Sequence, residues 1–175
     1  MIPIQTPRLI LRNYRESDLD DYFEYMSLEE TALHEDFEPL STAQCEAAIL
    51  SRLDDDTFWA VEFDGKMIGD LCYRLGDDGT YEIAYDFNPK FGKRGYATEA
   101  CRALIDHIFY DLNGRRLYVG CNEGNDNSWR LLERLGFRRE AHCIEDISFK
   151  KDAEGNPIYV NSYFYAMLKR EWQKR

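Results

Sequence analysis

Residues 80–109, "TYEIAYDFNPKFGKRGYATEACRALIDHIF", constrain the fold more than any other part of the chain. The first eight are rich in β-branched and aromatic side chains and read as a strand. From Ala97 the apolar positions Ala97, Ala100, Cys101, Leu104, Ile105 and Ile108 fall on one stripe. That spacing predicts a helix with one buried face, which Asn113-Gly114 stops. Between strand and helix lies a loop carrying Gly92 and Gly95 beside the basic residues Lys90, Lys93 and Arg94. The first N–H groups of a helix lack intrahelical partners and carry partial positive charge, so strand, loop and helix in this order suit a phosphate. The same glycines also serve an ordinary turn that needs φ > 0. The loop has neither the Gly-x-x-x-x-Gly-Lys-Ser/Thr of a nucleotide P-loop nor the Gly-x-Gly-x-x-Gly of dinucleotide folds.

The flanking segments alternate between strand and helix signals. "PRLILR" sets Leu9 and Leu11 against Arg8, Ile10 and Arg12 in an opening strand. Ser17, followed by Asp18, Asp20 and Asp21, reads as the N-cap of a helix reaching about Met26. Ser41 with Gln44 three residues on predicts a capping box and a second helix over 42–53. "TFWAVEF" and "KMIGDLCYRL" are strands joined at Asp64-Gly65, a two-residue hairpin signal, and Trp59 falls in the apolar core of the first. "RRLYVGC" reads as a strand and "NDNSWRLLERLG" as a short helix ending at Gly136. "FRREAHCIEDI" and "IYVNSYFYAML" read as two long final strands around a polar turn. With 175 residues and no repeats or linkers, the chain fits one domain over 1–175, of mixed α+β class.

The formal net charge of −11 argues against nucleic acid, whose binding depends on Lys and Arg neutralising phosphates. Lys93 and Arg94 still govern their own loop, because screening confines charge effects to about 8 Å. The acidic runs at 54–56 and 76–79 read as solvated turns. The five cysteines lie far apart without zinc-binding spacing, and His34, His107 and His142 do not cluster, so no metal is expected and the thiols read as reduced. The first residues lack the apolar core of a signal peptide, and no stretch approaches the ~20 apolar residues of a membrane span. The expectation is a cytoplasmic protein with no membrane segment.

"GKRGYATEA" (92–100) resembles motif A of the GNAT N-acetyltransferases, Gln/Arg-x-x-Gly-x-Gly/Ala. "NDNSWRLLERLGF" (125–137) is similar to that superfamily's Asn-x-x-Ser/Ala followed by Leu-Gly-Phe. "TPRLILR" (6–12), "YEIAYDFNP" (81–89) and "YVNSYFYAMLKREW" (159–172) resemble the branch that includes ribosomal-protein N-terminal acetyltransferases. Order and spacing match over nearly the whole chain. The resemblance implies an acyl-CoA N-acyltransferase fold, a central twisted and mostly antiparallel sheet flanked by helices. It also implies acetyl-CoA as acetyl donor, cradled at Lys93, Arg94, Gly95, Tyr96, Ala97 and Thr98, with Phe87 and Asn88 at the strand end and Asn125 toward the pantetheine arm. Helix N-capping is an equally natural use of Asn125. The chain departs from the pattern at two positions. Gly92 fills the Gln/Arg slot of motif A, and Leu132 stands where many relatives carry a tyrosine that protonates the leaving thiolate.

Acetyl transfer needs an unprotonated amine, yet a free alkyl amine has a pKa near ~10.4, so a base must take its proton. Glu82 lies ten residues before Gly92, at the offset of the catalytic glutamate in histone-acetylating relatives; an exposed strand carboxylate is the other reading. Asp86 points to the same face, but roughly 13 Å of strand separates the two. A strand N–H near Tyr85 to Phe87 would stabilise the oxyanion. Ser128 is the candidate hydrogen-bond donor to the leaving thiolate, or else it caps or packs its helix. These features lead to an N-acetyltransferase working by direct attack in a ternary complex, on a protein N-terminus or a small amine. The aromatic last strands suggest a homodimer. Gly92 and Leu132 motivate the alternative, a non-catalytic acyl-CoA-binding module.

Overall fold

The computed structural model describes residues 2–172 and opens with two short strands, β1 (Ile4–Gln5) and β2 (Ile10–Arg12). A turn in which Thr6 N–H donates to the Leu9 carbonyl at 2.9 Å joins them. The opening strand is therefore shorter than its alternation suggested, although Leu9 and Leu11 are both buried. Met1 and residues 173–175, counted in the domain expected over 1–175, lie outside the described residues. The chain enters α1 (Leu19–Met26) through a 3₁₀ turn at Glu16–Asp18, not through an N-cap at Ser17. Arg12 is the reason. It is buried, and its guanidinium donates to both oxygens of Asp18 at 2.8 Å. A buried cation must be paired, so the carboxylate that follows Ser17 turns inward and draws the backbone into the tighter turn. After α2 (Glu29–Ala32), which the sequence did not signal, α3 (Thr42–Arg52) starts at the expected capping box. There Ser41 N–H donates to Gln44 Oε1 at 2.9 Å, and Gln44 N–H donates to Ser41 Oγ at 3.4 Å.

β3 (Phe58–Phe63) and β4 (Lys66–Leu75) form the hairpin expected at Asp64-Gly65, whose φ angles of 51° and 77° suit a type I′ turn. β5 (Thr80–Phe87) returns beside β4, and α4 (Tyr96–Asp106) carries the chain back across the sheet. The helix expected to run to Leu112 widens over His107–Asp111 into a π turn, where Leu112 N–H reaches the His107 carbonyl at 3.1 Å. This crossover sets β6 (Arg116–Asn122) parallel to β5. α5 (Asp126–Leu135), β7 (Arg138–Lys151) and β8 (Pro157–Leu168) complete the chain. The sheet order is β1-β2-β3-β4-β5-β6-β8-β7, antiparallel except between β5 and β6.

That parallel register is only three pairs long: Thr80 with Arg116, Tyr81 with Leu117, Glu82 with Tyr118. Beyond Glu82, β5 stays on β4 and β6 stays on β8, so the two strands part. α4 and α5 cover one face, packing Leu104, Ile105, Leu131 and Leu132 against Leu71, Ile83 and Leu117. On the other face α1 and α3 pack Tyr22, Tyr25 and Ile49 against Ala60 and Met67. They do not reach the parting, because Ala84 in the middle of β5 is exposed. Gly69 lies opposite Phe87, and a Cβ there would stand 2.5 Å from the Phe87 ring, so glycine is what lets that ring lie across β4.

Glu24 ties α1 to the end of β5. It accepts from Lys66 Nζ at 2.8 Å, Asn88 Nδ2 at 3.1 Å and Lys90 Nζ at 3.0 Å, and Lys66 foremost among these lowers its pKa to about 2. A pKa depressed on folding contributes stability above the unfolded value and loses it as pH falls through the folded one. At neutral pH Glu24→Gln should cost about 1 kcal/mol, or about 2–4 °C in Tm. The gap to wild type should narrow as pH falls from about 4.5 toward about 2, the two ends of the shift. Urea unfolding at a series of pH values measures it, and a gap constant through that window would contradict the assignment.

Candidate active site

The β5–α4 loop is held from below and beside. Asn88 is fully buried; its Oδ1 accepts from Lys90 N–H at 3.0 Å while its Nδ2 is taken by Glu24. The side chain thus builds the turn Pro89–Phe91 and is directed inward, away from the cofactor role expected for it. Lys93 (φ 60°) and Gly95 (φ 81°) both adopt left-handed backbone, a conformation that gathers N–H groups into an anion-binding concavity. α4 starts at Tyr96 with no side-chain cap, so the N–H groups of Tyr96, Ala97 and Thr98 stay available. Arg8 fastens this loop to β1–β2. Its Nη1 donates to the Arg94 carbonyl at 2.9 Å, its Nε donates to Glu99 Oε2 at 2.6 Å, and its guanidinium lies 4.6 Å over the Tyr96 ring. Thr98 Oγ1 accepts from Arg134 on α5 at 3.1 Å.

On the α5 side of the parting three groups meet. Asn125 caps α5, its Oδ1 accepting from Ser128 N–H at 3.1 Å. Ser128 is buried, and its Oγ lies 2.9 Å from the Tyr85 hydroxyl of β5. Burial raises the Cys121 thiol of neighbouring β6 to about 11, with Ser128 opposing the rise. Burial likewise pushes the Tyr85 phenol well above its ordinary range, so it stays protonated and able to donate. Leu132 is packed in the core and takes no part.

Glu82 lies elsewhere. Alternation along β5 puts it on the face opposite Tyr85, at the last register pair before the strands part, where it forms an ion pair with Arg74. Glu82 and Ser128 are therefore not brought together. Four residues further on, the same face carries Asp86, directly across from Asp70 of β4. Asp70 is buried, accepts from Tyr25 Oη at 2.6 Å and has Arg52 Nη1 at 3.9 Å. The sequence held a signal for Asp70, which interrupts the apolar run from Met67 to Cys72, but not for Asp86, which shares its strand with Glu82. Arg8 and the Tyr85 hydroxyl gave no sign of their partners. Among the described residues no three His, Cys, Asp or Glu side chains gather in a way that could hold a metal ion, and no helix is long and apolar enough to cross a membrane.

A parallel strand pair that parts beside a glycine loop and an uncapped helix is the architecture of an acyl-CoA N-acyltransferase. The chain belongs to the acetyltransferase (GNAT) domain family, whose model matches residues 8–138. It is 29% identical to the uncharacterized N-acetyltransferase YnaD of Bacillus subtilis (strain 168), over 97% of this chain and 98% of that protein. A GNAT-family acetyltransferase from Bacillus anthracis matches with a TM-score of 0.87 at 25% identity, over 97% of this chain and 100% of that one. RimL, a ribosomal-protein alpha-N-acetyltransferase solved with coenzyme A in disulfide linkage to one of its own cysteines, shares the fold. Its TM-score is 0.79 at 17% identity, over 95% of this chain and 98% of that one. The chain is an N-acetyltransferase at the level of its family, and the non-catalytic module is not favoured.

Arg8→Ala removes an ion pair, a carbonyl hydrogen bond and a ring contact that hold the glycine loop. Amide hydrogen exchange at 92–96 should quicken by roughly tenfold, about 1.4 kcal/mol of local opening, with the β3–β4 core unchanged. Equal exchange in both proteins would show that the loop keeps its shape without Arg8.

Proposed function

We propose that the protein transfers the acetyl group of acetyl-CoA to a primary amine by direct attack with both substrates bound. The parting of β5 and β6 carries this reading: hydroxyls and free N–H groups flank it on one face, carboxylates on the other. The residues present fit the cofactor. The left-handed turns at Lys93 and Gly95 and the open N-terminus of α4 suit its diphosphate, with backbone donors replacing the side chain that Gly92 lacks. A cavity of about 710 Å³ continues from Gly95 and Thr98 along α4, where Arg102 and Arg134 share its lining with Glu99, Asp106 and Asp111. Asn125, placed at the N-terminus of α5, would face the pantetheine arm, and Phe87 would line its entry through the backbone. Bound there, acetyl-CoA supplies an acetyl thioester.

Tyr85 and Ser128 would donate hydrogen bonds to the sulfur as it takes up negative charge. A thiol of ordinary pKa, about 8.5, needs only modest help. The phenol that Leu132 does not provide from α5 is thus provided from β5. Strand N–H groups beyond Glu82, freed where β6 departs, would hold the carbonyl oxygen. The amine would arrive on the opposite face, over exposed Ala84, where acidic side chains favour a cation. A protein N-terminus and a small amine both meet this description. Glu82 is engaged by its ion pair with Arg74, at the last register pair before the strands part. In assembly, the exposed Ile144, Phe149 and Tyr159 of the β7–β8 hairpin are what a second copy would cover. A monomer by sedimentation at micromolar concentration would refute that dimer.

Thiol release from acetyl-CoA against amines and peptide N-termini tests the activity, and two variants separate binding from chemistry. Gly95→Val imposes a left-handed φ on a β-branched residue and should raise the Kd for coenzyme A more than tenfold, about 1.4 kcal/mol. Ser128→Ala combined with Tyr85→Phe should leave that Kd nearly unchanged and lower kcat by roughly 10- to 100-fold. The reverse pattern would place the cofactor elsewhere.

A further inference from the structure

Asp70 and Asp86 face each other in the antiparallel register of β4 and β5. Directly opposed residues have Cβ atoms about 5 Å apart, so two charged carboxylates here repel. Only one of them is fixed. Asp70 has the Tyr25 hydroxyl and Arg52, and Arg52 is held in turn by donating to Tyr22 Oη at 2.7 Å and Tyr14 Oη at 3.2 Å. Asp86 makes no side-chain hydrogen bond among the described residues, is partly buried, and shares its face of β5 with exposed Ala84. Arg52 pairs with Asp70 and reaches Asp86 only through space. The groups that act on Asp86 through space are Asp70 and Cys72 from β4, Arg52 from α3, Tyr22 from α1 and Glu35 after α2, while Tyr25 and Tyr14 hydrogen-bond to Asp70 and Arg52 beside it. Glu82 lies on its own strand, paired with Arg74.

We propose that Asp86 is the base that takes the proton of the acceptor amine, and that Asp70, held by Arg52, is the positioning residue that keeps Asp86 fit for it. The proposal rests on the acetyl-transfer reading. An ordinary aspartate is a far weaker base than an alkyl amine, about 3.9 against about 10.4, so a carboxylate of raised basicity narrows the mismatch. Burial first, then Asp70 and Glu35, hold the Asp86 carboxyl well above the usual range, with Arg52 opposing; burial also raises Asp70. Asp86 accepts one proton from the ammonium, and the neutral nitrogen attacks the thioester carbon. The C–N bond forms as the C–S bond breaks. The nitrogen's remaining surplus proton ends on sulfur, giving free thiol, and Asp86 returns its proton to solvent. The net products are the amide, the thiol and one released proton.

The test takes the full chain with acetyl-CoA and three probe acceptors: spermidine, glucosamine and an alanyl-serine dipeptide. A carboxyl ¹³C NMR titration of the same proteins without cofactor runs beside it. Asp86→Asn should lower kcat/KM by ~10²–10³-fold at neutral pH without weakening coenzyme A binding, and Glu82→Gln should cost much less. Two aspartate carboxyls, those of Asp86 and Asp70, should titrate above the ordinary range, and the one belonging to Asp86 should vanish in Asp86→Asn. In Asp70→Asn that titration and the acid limb of kcat/KM should both move to lower pH, because a negative neighbour is gone; Arg52→Gln should move them up. A merely structural Asp70 would depress activity without moving the limb. An Asp86→Asn enzyme within about threefold of an active wild type, or no high-titrating carboxyl lost in that variant, would overturn the proposal. No thiol release from wild type with any probe would instead count against acetyl transfer, while the titration still decides Asp86.

Discussion

A parallel strand pair that stops after three residues leaves backbone N–H and C=O groups on both strands without a sheet partner, and each must be met by something else. β5 and β6 are in that position beyond Glu82 and Tyr118. The neighbours β4 and β8 satisfy their outer edges, so the inner edges face each other across a gap that reaches both sides of the sheet. The gap opens next to the glycine loop because β5 runs directly into it. The α4 crossover that makes the pair parallel also delivers the helix N-terminus to the same place. Fold and site thus share one origin.

The two faces of the sheet beside the gap differ in chemistry because different helices pack on them, although α1 and α3 stop short of the gap itself. α4 and α5 bring an apolar wall with one pair of hydroxyls, Tyr85 and Ser128, which stay neutral. α1 and α3 bring Tyr22, Tyr25 and Arg52 around two carboxylates. Placing Asp70 and Asp86 opposite each other costs stability, since buried like charges repel and burial disfavours ionisation. Departures from consistent local design of this kind gather at functional sites. The buried Arg12 with Asp18 is a contrast, since each charge there has a partner and the pair ties β2 to the turn that precedes α1.

The sequence showed most of the framework because local rules set it. The capping box at Ser41, the Asp64-Gly65 hairpin and the helix stop at Gly136 depend on residues within a few positions of one another. The glycine loop was legible for the same reason. What failed to show depends on partners distant in sequence. Asp18 looked like part of a helix start until Arg12 claimed it, and Asn88 looked like a cofactor ligand until Glu24, 64 residues away, claimed its amide. Glu82 matched an offset, but position relative to the end of the β5–β6 register decides what a carboxylate on this strand can reach, and no spacing rule along one strand reports where two strands part. Tyr85 supplies a hydroxyl from the strand where the family pattern drew attention to the helix.

We propose that cofactor and acceptor meet through the gap between β5 and β6, from opposite faces of the sheet. A crystal structure of the protein with coenzyme A tests it most directly. The diphosphate should lie on the N–H groups of the loop through Thr98, and the sulfur beside Tyr85 and Ser128 with Asp86 across the gap. Coenzyme A bound with its sulfur away from the parting, or entering from the face that carries Asp86, would contradict it.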